Sequence, residues 1–139
     1  MSDTINSDDI ATHELRVRYA ETDRMGVAHH TYYLVWFEAG RTDYMRERDV
    51  RYRDLEEKGI FLPVSEYSCR MMRSAKYDDL ITVRTSVESL KSRQVTFNYR
   101  VMHGKKLLAT GKTVHICTDK NARPILIPDW IKEGLLRKA

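Results

Sequence analysis

Cysteine, proline and glycine are all scarce: 139 residues contain two, three and six of them. Cys69 and Cys117 are too few for a disulfide framework and lack the Cys-x-x-Cys spacing of a zinc site, so both read as small apolar residues in strands. No apolar run is long enough to span a bilayer. Met1 to Ile10 is polar and acidic, without the basic start or apolar stretch of a secretory signal, so the expected protein is soluble and cytoplasmic. No internal repeat, low-complexity segment or linker divides the chain, and 42% hydrophobic residues suffice for one core, so the organisation is a polar N-terminal tail over 1–12 and a single domain over 13–139. Basic residues number 24 against 20 acidic ones, a net charge of +4 compatible with nucleic acid, acidic lipid or a phosphorylated small molecule. Nucleic acid is the weaker of these, because no recognition helix, aromatic RNA-binding strand or zinc-finger spacing accompanies the charge.

What is present is periodic. His13 to Tyr19 alternates apolar or aromatic odd positions with charged even ones, a strand covered on one face. From Thr31 the spacing changes: Tyr32, Tyr33, Trp36, Phe37, Gly40, Tyr44 and Met45 recur at three- and four-residue steps, predicting one long helix capped by Thr31 or a neighbour. A glycine inside that helix costs helicity, so Gly40 predicts close packing of the helix backbone on a sheet. Asp54 to Gly59 reads as a short helical turn and Trp130 to Leu136 as a C-terminal helix. Strands are expected over Phe61–Met72, Leu80–Leu90, Arg93–Met102 and Lys105–Thr118, with a tight turn at His103-Gly104-Lys105. Consecutive strands with short links cannot pair in parallel, so the class is α+β, an antiparallel sheet packed on one helix.

The chemistry concentrates in Tyr19-Ala-Glu-Thr-Asp23-Arg-Met-Gly26-Val27-Ala-His-His30. A carboxylate on the turn before a helix start stands near free N–H groups and the positive dipole end, which together stabilise developing negative charge. The same letters also write an ordinary turn, with Asp23 bonding its own backbone and Gly26 supplying unusual dihedrals.

The longer pattern Tyr-x-x-Thr-Asp23-x-x-Gly26-Val27-x-x-His30-x-x-Tyr33-x-x-Trp36-Phe37-Glu38-x-x-Arg41 resembles the active-site signature of the 4-hydroxybenzoyl-CoA and YbgC-type acyl-CoA thioesterases, a branch of the hotdog fold. Pro63-Val64, Ala75-Lys-Tyr-Asp-Asp-Leu80 and Thr118-Asp-Lys-Asn-Ala-Arg123-Pro124 through Pro128 continue the resemblance in order, so it covers about Leu15 to Pro128. It implies a sheet wrapped around one long central helix, a homodimer or homotetramer, and hydrolysis of acyl-CoA without a metal or bound redox cofactor. Asp23 would be nucleophile or general base, the His30 backbone N–H would polarise the thioester carbonyl, and Gly26, Val27 and Tyr33 would line the substrate site. Arg24 and Met25 depart from the small residues common in the family.

Lys91, Ser92 and Arg93 resemble the basic cluster with which relatives hold coenzyme A phosphates, although such residues are also ordinary solvated turns. Glu66 is a second carboxylate candidate on a strand where glutamate more often faces solvent, and Glu38 and Arg41 read as structure or a subunit contact. His29 and His30 are adjacent without a third ligand at sensible spacing, poor grounds for a metal, and His13, His103 and His115 look structural or solvated. Two rival functions share this reading: a thioesterase on acyl-carrier-protein, and a non-catalytic acyl-CoA-binding module on the same fold.

Overall fold

The computed structural model describes residues 3–4 and 9–138. Six strands form one antiparallel sheet: β1 (Asp3–Thr4), β2 (Ala11–Arg16), β3 (Val64–Met71), β4 (Leu80–Leu90), β5 (Gln94–His103) and β6 (Lys106–Ile116). Its helices are α1 (Thr31–Glu47), α2 (Tyr52–Glu57) and α3 (Asp129–Leu136). The order is β1-β4-β5-β6-β3, and β2 joins β1 on the outer side of β4. No described helix is long and apolar enough to cross a membrane.

The α+β class and the single long helix are as the sequence predicts, and the strand periodicities explain why. In β5 the side chains of Val95, Phe97, Tyr99 and Val101 are all buried, and they face the α1 stripe of Tyr33, Trp36, Phe37, Tyr44 and Met45. Phe37 stacks on Tyr99 at 4.4 Å between centroids. Gly40 lies where a Cβ would meet Thr85 Oγ1 at 2.5 Å and Val83 at 2.8 Å, so the close approach inferred from the sequence is real. The helix therefore lies against one face of the sheet with its N-terminus toward the start of β4.

Two local expectations need correction. The first strand runs over Ala11–Arg16 instead of His13 to Tyr19, because Val17 exchanges backbone bonds with Asp78 and Asp79 in the loop before β4, and Tyr19–Glu21 then closes a 3-10 turn. The cap of α1 is as expected a neighbour of Thr31: His30 is the N-cap, Thr31 is the first helical residue, and the Thr31 hydroxyl lies 2.9 Å from His29 Nδ1. The third strand is shorter than predicted and, apart from half-buried Cys69, wholly exposed, because β3 pairs only with β6 and forms an edge.

A buried polar chain crosses the core. Arg41 donates to the Tyr52 hydroxyl at 2.6 Å and to that of Tyr99 at 3.1 Å, Tyr99 meets Thr113 at 2.6 Å, and Thr113 meets His115 Nε2 at 2.8 Å. His115 Nδ1 ends the chain by donating to the Leu62 carbonyl. Arg41 thus serves structure, whereas Glu38 is exposed. Burial, with the Arg41 charge adding to it, pushes the His115 imidazole down to about 4. Between that value and the ordinary 6.5 the unfolded chain binds a proton that the native chain does not, so this contribution is complete above pH 6.5 and is lost as pH falls toward 4. Denaturant unfolding of the wild type is expected to lose on the order of 3 kcal/mol through this residue by the bottom of that window. His115→Gln should be less stable at pH 7 yet lose less on acidification.

Candidate active site

Asp23 sits on a hairpin that closes immediately before α1. Its N–H donates to the Val27 carbonyl at 2.9 Å, Thr22 pairs with Ala28, and the His29 N–H donates to the Glu21 carbonyl at 2.8 Å. Gly26 turns the chain at φ +78°, a conformation that side-chain-bearing residues rarely take. Asp23 Oδ1 accepts from the Met25 N–H at 2.8 Å and from the Val27 N–H at 3.4 Å. Its Oδ2 has no partner among the described residues. The two readings of this residue are therefore compatible: one oxygen builds the turn and the other is left for chemistry.

The far end of the hairpin runs into α1, whose N-cap is His30 at φ −57° and ψ −28°. No described residue accepts a hydrogen bond from the His30 N–H. A free donor at the positive end of a 17-residue helix is suited to a developing oxyanion. The His30 ring is exposed and lies 4.2 Å from that of His29, centroid to centroid. Of the remaining predicted lining residues, Val27 is half-buried, while Tyr33 is 3% exposed and packs on Trp36 beneath the hairpin, where burial raises its phenol above the usual range.

Glu21 was not singled out from the sequence, and it anchors this hairpin. It is 3% exposed; Oε1 accepts the Arg18 N–H at 2.8 Å and Oε2 accepts the Trp36 indole N–H at 3.1 Å. A buried carboxylate with charge-assisted bonds to both sides of the loop fixes where Asp23 and His30 stand relative to α1.

Lys91, Ser92 and Arg93 form the exposed β4–β5 turn, with Ser92 O and Arg93 O accepting from Ile127 and Cys117. The hairpin lies at the other end of β4: Val27 pairs with Lys76, and Ala28 N donates to Ala75 O at 2.7 Å. Eleven residues of strand separate the two, about 35 Å at the usual rise per residue. One chain does not bring the basic turn and Asp23 together. Glu66 is exposed on the edge strand β3.

Against known proteins, residues 17–135 match the family model described as the thioesterase-like superfamily. The chain belongs to that family. It is 32% identical to the acyl-CoA thioesterase YbgC of Haemophilus influenzae over 85% of this chain and 88% of that one. Among solved structures, the DHNA-CoA thioesterase of Staphylococcus aureus superposes with a TM-score of 0.85 at 34% identity, covering 90% of this chain and 87% of that one. The Thermus thermophilus protein TT1821 gives 0.87 at 38% identity, covering 90% and 96%. Sheet and central helix are thus those of a hotdog-fold thioesterase.

Proposed function

We propose that the protein hydrolyses an acyl-CoA thioester to the free acid and coenzyme A. The observation that carries this reading is the hairpin itself, with a carboxylate oxygen free at Asp23 and a donor free at the N-cap of α1. The carboxylate either attacks the thioester carbon directly, giving a mixed anhydride that water opens, or takes a proton from a water that attacks. In both routes negative charge moves onto the carbonyl oxygen, where the His30 N–H meets it, and the thiolate leaves and is protonated. Gly26, Val27 and Tyr33 line or support the acyl side.

A phosphate-holding role for Lys91, Ser92 and Arg93 requires a second copy of the chain. The support lies in β3, an edge whose outer backbone groups have no ladder partner among the described residues and which exposes Val64, Tyr67 and Met71, with Tyr67 64% exposed. Two such edges related by a two-fold axis pair antiparallel, which inverts the second sheet and carries its Lys91–Arg93 turn to the Asp23 end of the first. Light scattering at micromolar protein should give a dimer or tetramer, and an active monomer would contradict this arrangement. Thiol release over short, long, branched and aromatic acyl-CoA, and over acyl-carrier-protein, tests the activity. Turnover only on the carrier-protein donor would move the assignment to that class, and turnover on neither would remove it.

A further inference from the structure

Beside the Asp23 hairpin is a cavity of about 430 Å³ with Arg73, Lys76, Asp79, His103 and Lys106 in its walls. These residues come from the β3–β4 loop and the β5–β6 hairpin, and main-chain bonds fix both. Met72 N and Arg73 N donate to Leu108 O at 2.8 and 3.1 Å, and Gly104, at φ +60°, reverses the chain between the paired His103 and Lys106. The one carboxylate is already engaged: Asp79 Oδ2 accepts the Lys76 N–H at 2.9 Å, and Oδ1 lies 3.9 Å from His103 Nε2. Arg73, Lys76 and Lys106 have no carboxylate within ion-pair distance among the described residues, unlike Lys112, which meets Glu88 at 2.7 Å. Three cations thus converge on one concavity, and an anion there relieves their mutual repulsion.

The position gives the anion a function. Lys76 pairs with Val27, whose N–H reaches Asp23 Oδ1, so the cavity starts about 5 Å, one strand spacing, from the hairpin. We propose that this cavity is a phosphate site that takes the diphosphate of a coenzyme A arm lying across the Asp23 hairpin of the same chain. The proposal rests on the thioesterase reading and adds to the Lys91–Arg93 turn of a second copy a set of cations from the chain that supplies Asp23. Guanidinium and ammonium groups together suit it, the first as a bidentate fork on phosphate oxygens and the second as a point charge.

Calorimetric titration of coenzyme A into the full-length wild type, Arg73→Ala/Lys106→Ala and Lys91→Ala/Arg93→Ala tests it, with kinetics on acyl-CoA and on acyl-pantetheine carrying the same acyl group. Both pairs of side chains are exposed, so neither double variant should disturb folding. Arg73→Ala/Lys106→Ala is expected to weaken coenzyme A about tenfold or more and to raise KM for acyl-CoA, leaving acyl-pantetheine hydrolysis within twofold. An affinity within twofold of wild type overturns the proposal, and if Lys91→Ala/Arg93→Ala then weakens binding the thioesterase reading stands without it. An equal loss on acyl-pantetheine also overturns it, since a substrate without phosphate cannot sense these charges. A wild type that neither binds coenzyme A nor releases thiol removes both.

Discussion

Asp23→Asn is expected to lower kcat by about 10²-fold or more while coenzyme A affinity changes less than twofold. The geometry makes this substitution unusually clean. An asparagine keeps the Oδ1 acceptor on which the Met25 and Val27 N–H groups close the turn, so the hairpin survives. What changes is Oδ2, which makes no bond to the described protein and becomes an amide with neither the charge to attack a thioester nor the basicity to activate water. Steady-state thiol release beside coenzyme A titration measures both halves. A folded Asn variant with near-normal turnover would show that Asp23 is only the turn residue its sequence context also allows.

That ambiguity marks the limit of what the residues alone convey. Elements with strong periodicity were legible, because α1 and β5 bury one stripe or one face and the pattern is written in every turn of the chain. Gly40 was legible for a related reason, as a helix glycine has little use except close approach. Glu21 was not, since its meaning depends on Trp36 fifteen residues later and on a turn begun by Arg18, where no serine or threonine announces a cap. The pairing of Val17 with Asp79 was also invisible: the alternation of His13 to Tyr19 continues past the point where the chain leaves the sheet. Distance was the hardest quantity to read. Lys91 and Arg93 carry the right charge, but only the sheet register shows that they and Asp23 stand at opposite ends of β4.

The N-cap of α1 allows backbone and side chain to be separated. His30→Ala is expected to retain kcat within about fivefold, because the ring is exposed and any loss comes from the lining of the site. His30→Pro should lose about 10²-fold or more, comparable to removing one donor from an oxyanion hole. Proline is tolerable here for two reasons in the structure. The φ of −57° at His30 is close to the value a pyrrolidine ring imposes, and the N–H it deletes has no acceptor among the described residues, so no described hydrogen bond is lost. The ring's effect on His29 is the remaining cost, and the His29 N–H to Glu21 carbonyl bond opposes any shift there. Circular dichroism and light scattering must match the wild type before the kinetics are read. If His30→Ala falls as far as Asp23→Asn, the imidazole itself handles water or the carboxylate, and the main-chain donor is not what the reaction uses.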